Sequence, residues 1–182
     1  CAGYPGSQGY ESIDAETYAS WGVDYLKLDG CYNNLTGYES GYPAMGQALS
    51  ETNRDIVYSC SWPAYLGDDE SIKPFASFTA AGCDLWRNWD DIDNSWSSLV
   101  SIIDHWGDYT NTLKLVSSPE LGWNDPDMVL AGDDHYNPGG APALSLDQAK
   151  VQLSIWSIVA APLIMSNDLR TVSTAYRDLL LN

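Results

Sequence analysis

The sequence predicts an α/β fold of βα units around a parallel sheet, and three observations predict it. Short apolar runs alternate with segments of helical periodicity along the whole 182-residue chain. The polar residues that carry chemistry fall just after the apolar runs: Asp29, Ser61, Arg87 with Asp91, Asp127, and Asn167 with Asp168. Clustering of that kind at one end of a parallel sheet marks an active-site face. A doubly wound sheet would share this polarity, but no Gly-rich phosphate loop is present to support one.

Taken in order, residues 1–10 form a Gly/Pro-rich loop. Asp14 is placed to cap a helix through Ala15, Tyr18, Ala19 and Trp21, which Gly22 ends. Residues 25–28 read as a buried strand that stops abruptly at Asp29, Gly30 and Cys31. A loop over 32–41 precedes a helix over 43–51. Residues 56–60 form a second buried strand, followed by a loop over 61–69 and a weaker helix over 71–81. A short strand over 85–88 contains Arg87. Trp96, Leu99, Val100, Ile103 and Trp106 then recur at helical spacing in a helix over 95–106, with Asp93 as its expected cap. Residues 113–116 are strand-like, and 123–127 form the next strand end. A long Gly/Pro/Asp loop covers 132–142. Ser145 and Gln148 make a capping box for a helix reaching about residue 161. Residues 163–165 form a last strand and 173–180 a last helix.

The length fits one domain or part of a larger one. The chain opens on Cys1, without an initiator Met, and reads as an internal fragment. No run is long and apolar enough to span a bilayer. Twenty-five acids against eight bases give a net charge of −17, which argues against nucleic acid or an anionic membrane surface as partner. The same acidity suits work at low pH. Eight Trp and twelve Tyr supply aromatic surface for a core, and also faces on which sugar rings stack; the count leans to core. Cys1, Cys31, Cys60 and Cys83 are widely spaced, so a zinc site is not expected, and they allow three pairings. Asn34-Leu35-Thr36 is a glycosylation sequon. With the cysteines it points to an oxidising, secretory route.

Asp29 ends its strand, and Lys27 lies two residues earlier on the same face. A cation there favours the ionised carboxylate a nucleophile needs. Asp91 lies in Trp86-Arg87-Asn88-Trp89-Asp90-Asp91, among aromatics and other acids, surroundings that favour a protonated general acid. One ionised and one protonated carboxyl is the requirement of glycoside hydrolysis. Rival chemistries are less well served. Asp68-Asp69-Glu70 and Asp133-Asp134 read as solvated loop charges and do not match a calcium loop. His105 on a helix and His135 in a loop make no metal pair, and no G-x-S-x-G elbow is present. Cys31 has no evident base beside it.

Several long motifs in order carry a resemblance. They are Cys-Ala-Gly-Tyr-Pro-Gly at 1–6, Asp-Ala-Glu-Thr-Tyr-Ala at 14–19, Leu-Lys-Leu-Asp-Gly-Cys at 26–31 and Tyr-Ser-Cys-Ser-Trp-Pro-Ala-Tyr at 58–65. Trp-Arg-Asn at 86–88, Trp-Asn-Asp-Pro-Asp-Met at 123–128 and Ala-Pro-Leu-Ile-Met-Ser-Asn-Asp-Leu-Arg at 161–170 complete the set. The chain resembles glycoside hydrolase family 27, the group of animal lysosomal α-galactosidases and α-N-acetylgalactosaminidases. The resemblance implies a (β/α)8 TIM barrel followed by an antiparallel β domain. Residues 1–182 would be a partial catalytic barrel, about its last five βα units. The first three strands, with their sugar ligands, and the β domain are absent, and the loop over 132–142 is longer than the resemblance leads one to expect.

It further implies Asp29 as nucleophile and Asp91 as acid/base. Lys27, Cys60, Ser61, Ala64, Tyr65, Arg87 and Asp127 would line the sugar site. The pairings would be Cys1–Cys31 and Cys60–Cys83, with Asn34 glycosylated. No cofactor or metal is implied. The partner would be a glycan ending in α-N-acetylgalactosamine or α-galactose, in a lysosomal or secreted protein, with a homodimer possible at full length; neither nucleic acid nor membrane insertion is expected. In the galactosidases the segment at 60–65 resembles Cys-Glu-Trp-Pro-Leu-Tyr, with large residues crowding the sugar 2-position. Here Ser61 and Ala64 are small, which leaves volume for an N-acetyl group. The expected activity is therefore a retaining exo-α-N-acetylgalactosaminidase. The alternatives are an α-galactosidase, or a barrel that binds sugar without turning it over.

Overall fold

The structure, a computed structural model, describes residues 2–134 and 142–182. The chain divides into two compact units. The first comprises Cys1–Trp89 and Asn111–Asn124, and the second Asp90–Thr110 and Asp125–Asn182.

The first unit alternates helix and strand: α1 (Glu11–Ser20), β1 (Tyr25–Leu28), α2 (Leu35–Ser50), β2 (Val57–Cys60), α3 (Phe75–Ala80) and β3 (Leu85–Arg87). Next in the chain come α4 (Trp96–Asp108), the single turn α5 (Thr110–Leu113) and β4 (Trp123–Asp125). The sheet order is β1-β2-β3-β4, the consecutive order of a barrel wall rather than of a doubly wound sheet. β1 and β2 are parallel with Leu28 opposite Cys60, and β2 and β3 are parallel with Cys60 opposite Trp86. Trp123 N–H donates to the Asp84 carbonyl at 3.0 Å and brings β4 alongside β3. The Arg54 guanidinium ties down the start of β1, donating to the Val23 carbonyl at 2.8 Å and the Gly22 carbonyl at 2.9 Å, and pairing with Asp24.

The core of this unit is aromatic, in line with the composition. Tyr42 of α2 stacks on Trp62, with centroids 5.6 Å apart and planes 4° from parallel. Trp62 meets Phe78 edge-on, and Phe75 and Phe78 pack on Trp86 of β3. Gly46 of α2 lies against the residue that follows α3: a Cβ there would lie 1.9 Å from the Ala81 carbonyl oxygen, so only glycine fits.

The Cys60–Cys83 disulfide expected from the resemblance is present, with Cα atoms 5.9 Å apart. The Cys1–Cys31 expectation lies outside the described residues because Cys1 does. Cys60–Cys83 closes a loop of sequence separation 23, so opening it releases substantial chain entropy in the unfolded state. The double change Cys60→Ala with Cys83→Ala should destabilise the full-length protein by about 2–5 kcal/mol. Denaturant midpoints test this, and an unchanged midpoint would contradict it.

The second unit contains α4, α6 (Leu146–Ile158) and α7 (Thr174–Leu180), together with a parallel bridge between Val129 and Met165. The strand expected over 163–165 is reduced to that bridge. The capping box of Ser145 and Gln148 is present as read, and α6 ends at Ile158, short of residue 161. Among the described residues no helix is long and apolar enough to cross a membrane.

Several elements differ from the sequence reading. Asp14 is not a cap: α1 begins at Glu11, and Asp14 sits in its first turn, where its charge favours the helix N-terminus. α2 begins at Leu35, eight residues earlier than expected, because the Asn34 side chain accepts from the Gly37 N–H at 3.0 Å. Pro43 then lies inside the helix, which tolerates the missing donor. Ser95, not Asp93, caps α4, accepting from the Ser98 N–H at 3.2 Å. Residues 113–116 are not a strand. Leu113 ends α5 and Lys114–Val116 is a 3₁₀ turn, because the run is too short for alternation to distinguish the two. The loop after β2 contains a 3₁₀ turn, Trp62–Leu66, and the helix expected over 71–81 is split into a 3₁₀ turn, Glu70–Ile72, and α3. Of the loop over 132–142, residues 135–141, including His135, lie outside the described residues.

Candidate active site

The register of the sheet assembles the first part of the site. With Leu28, Cys60 and Trp86 opposite one another, the next residue of each strand is Asp29, Ser61 and Arg87, in one row at the C-terminal edge. Ser61 N–H donates to the Leu28 carbonyl at 3.1 Å and holds that row together. Ser61 and Arg87 are buried, while Asp29 is exposed. Lys27 lies one pleat below Asp29 on the same face of β1, as the alternation predicted. It is exposed and forms no ion pair with Asp29 among the described residues.

The donors that orient Asp29 come from elsewhere. The Tyr65 hydroxyl donates to Asp29 Oδ1 at 2.5 Å, and the Gly30 N–H donates to the same oxygen at 2.6 Å. Asp29 Oδ2 accepts no hydrogen bond among the described residues. Tyr65 is carried into reach by the 3₁₀ turn Trp62–Leu66 and packs against Tyr38, with ring centroids 5.0 Å apart. Desolvation, the hydrogen bond to Asp29 and the Asp29 charge push the Tyr65 phenol well above the ordinary tyrosine range. The phenol therefore stays protonated, and remains a donor, throughout acidic and neutral pH. Gly30 is required by this packing: a Cβ would lie 2.5 Å from Tyr65 Cε2 and 2.9 Å from Tyr38 Cε1. Beside Asp29, a cleft of about 640 Å³ opens between the N-terminal loop and α2; Tyr4, Tyr32 and Asn33 are among its lining residues.

Ala64 is half-buried in the same 3₁₀ turn, and its N–H donates to the Ser61 carbonyl at 3.2 Å. Cys60 is fully buried in the disulfide, directly before Ser61. Arg87 Nη2 donates to the Trp89 carbonyl at 3.2 Å.

Sequence reasoning missed the support beneath this edge. Glu70 and Lys73, with both side chains at 0% exposure, form an ion pair at 2.8 Å. Lys73 Nζ also donates to the Asn88 carbonyl at 2.6 Å. The Asn88 side chain bonds Asn124 Oδ1 at 2.8 Å, and the same oxygen accepts from Trp86 Nε1 at 3.0 Å. This network braces the end of β3, where Arg87 emerges. Glu70 is thus not a solvated loop charge. Its spacing of three residues from Lys73 was the available signal.

The second unit holds Asp91 and Asp127. Asp91 is exposed, not enclosed by the neighbouring aromatics as its segment suggested. Asp127 is buried and has φ of +87°, a left-handed backbone unusual outside glycine. Its Oδ1 accepts from the Met128 N–H at 2.8 Å and its Oδ2 from the Ile92 N–H at 2.9 Å. Asp133 and Asp134, read as solvated, are both buried, and Asp133 Oδ2 accepts from the Ser166 hydroxyl at 2.9 Å.

An acid held by a tyrosine, with a small hydroxyl and a buried guanidinium beside it in one row at the C-terminal edge of a parallel sheet, has the placement of active-site groups in a barrel enzyme. Comparison with known proteins gives the same class. The family described as alpha galactosidase A matches residues 1–182. The chain is 45% identical to α-N-acetylgalactosaminidase of Gallus gallus over 185 residues, covering 100% of this chain and 43% of that protein. It is also 45% identical to α-galactosidase A of Homo sapiens over 181 residues, covering 99% of this chain and 40% of that protein. Among solved structures, α-galactosidase I of Mortierella vinacea superposes with a TM-score of 0.78 at 28% identity, covering all of this chain and 47% of that one. The chain belongs to the alpha galactosidase A family, family 27 of the glycoside hydrolases. It spans about two fifths of the length of the curated relatives it matches.

Proposed function

We propose that the full-length protein is a retaining exo-glycosidase that removes terminal α-linked N-acetylgalactosamine from glycoconjugates. Asp29 is the nucleophile and Asp91 the acid/base. The orientation of Asp29 supports its role. Tyr65 and Gly30 hold Oδ1, so Oδ2 is the oxygen left to attack the anomeric carbon. As that bond forms the glycosidic C–O bond breaks, and Asp91 gives its proton to the leaving oxygen. Water then attacks the same carbon, passes a proton to Asp91 and releases Asp29, so two inversions give net retention. Lys27, Arg87 and Asp127 contact the sugar hydroxyls. The Cys60–Cys83 disulfide supports an oxidising compartment, lysosomal or secreted.

The observation that carries the choice of sugar is the pair Ser61 and Ala64. Both are small, and Ser61 stands in the row next to Asp29. Ser61 is suited to hydrogen-bond the amide of a 2-acetamido group, and Ala64 to pack on its methyl. The equal identities to a galactosaminidase and a galactosidase keep α-galactosidase as the second reading.

The test is kcat/KM of the full-length protein on nitrophenyl α-N-acetylgalactosaminide and α-galactoside. The first should be preferred, with residual activity on the second, since a missing small group in a pocket is typically worth about 1–3 kcal/mol. Ser61→Glu with Ala64→Leu should invert the preference by adding bulk and a new acceptor. A galactoside preference in the unmutated protein would favour the second reading.

A further inference from the structure

We propose that Trp156 is a positioning residue for Asp91, acting through Asp127. The inference rests on the reading of Asp91 as the acid/base. It starts from a fully buried tryptophan of α6 whose indole N–H donates to the Asp127 carbonyl at 2.7 Å. That carbonyl belongs to the residue with the left-handed backbone, which persists only where its surroundings over-determine it. Trp156 supplies one constraint and Asp125 another, its Oδ1 accepting the Asp127 N–H at 2.8 Å. One helical turn before Trp156, Gln152 is also fully buried. It donates to the Met128 carbonyl at 3.0 Å and accepts from the Leu130 N–H at 2.8 Å. Thus α6 clamps residues 127–130 through two side chains on one face.

The clamp reaches Asp91 through the Asp127 carboxylate. Oδ1 is held by the Met128 N–H, which fixes the rotamer, and Oδ2 accepts the Ile92 N–H. That N–H belongs to the peptide plane joining Asp91 to Ile92, so holding it restricts the backbone from which the exposed Asp91 side chain projects. Removing the indole N–H frees the Asp127 carbonyl, relaxes the left-handed turn and lets the carboxylate release Ile92. Asp91 keeps its chemistry and loses its place.

A misplaced acid has a signature that a general loss of stability lacks. An alkoxide leaving group needs the proton that Asp91 delivers, and a dinitrophenolate does not. In the full-length protein, Trp156→Phe should lower kcat/KM on the methyl α-glycoside by about 10-fold or more, since small misplacements of a reacting group are costly. On the 2,4-dinitrophenyl α-glycoside, which shares the Asp127 sugar contact but needs no proton, the loss should be smaller by about 10-fold or more. Asp91→Ala, measured alongside, should show the same leaving-group dependence more strongly. If Asp91→Ala does not show it, the acid/base reading fails and this inference with it. If Asp91→Ala shows it and Trp156→Phe affects both substrates alike or neither, the positioning role alone is overturned. Hydrogen exchange on the unmutated protein gives a second check that needs no variant. The Ile92 amide should be protected, and exchange at the rate of an unstructured amide would overturn the proposal.

Discussion

Asp29→Asn is expected to lower turnover of the full-length protein by about 10⁴-fold, the order seen when one member of a catalytic group is removed. Asparagine keeps an oxygen where Tyr65 and Gly30 donate, so the local packing survives. Its amide nitrogen takes the place of Oδ2, which no described donor occupies. The variant should therefore fold and bind sugar while being unable to form the glycosyl ester. Calorimetric titration with free sugar, beside the rate assay, separates the two. Turnover within 10-fold of the unmutated protein would rule Asp29 out as nucleophile.

Lys73→Met is the substitution expected to cost most stability. It leaves Glu70 buried at 0% exposure with its cation removed, and takes a donor from the Asn88 carbonyl. Breaking a buried ion pair from one side typically costs about 3–5 kcal/mol, because the remaining buried charge loses its counter-ion; Glu70 keeps the neutral Asn88 amide at 3.4 Å. Adding Glu70→Gln removes that charge and should recover part of the loss, giving a coupling energy in a double-mutant cycle. Chemical denaturation of the full-length variants measures it. A cost below about 1 kcal/mol for the single change would mean that water replaces the lysine there. Because the network braces the residue after Arg87, activity should fall with stability.

Strand ends were the most legible part of the chain. Asp29, Ser61 and Arg87 each follow an apolar run, and the register places them in one row, which the alternation of strands and helices anticipates. Less legible was whatever depends on a partner distant in sequence. Tyr65 reaches Asp29 across 36 residues, a separation that no local pattern encodes. Lys27, adjacent on the strand, was the obvious partner and is not the one used. Glu70 and Asp133 read as solvated because acids in Gly/Asp-rich loops usually are, but both are buried against donors. The start of α2 was missed because Asn34 doubles as a sequon residue and a helix cap, and because Pro43 looked like a first-turn residue. Asp127 was named for the sugar, yet its φ and its hold on Ile92 are invisible in the motif Trp-Asn-Asp-Pro-Asp-Met.

Covalent catalysis by Asp29 is checked by trapping the full-length protein with an activated fluoroglycoside that forms the glycosyl ester but hydrolyses slowly, then mapping the label by peptide mass spectrometry. One sugar per chain is expected, on the Asp29 carboxylate in the peptide containing Leu26-Lys27-Leu28-Asp29-Gly30. A label on another carboxylate, or steady turnover of the reagent with no covalent adduct, would contradict it.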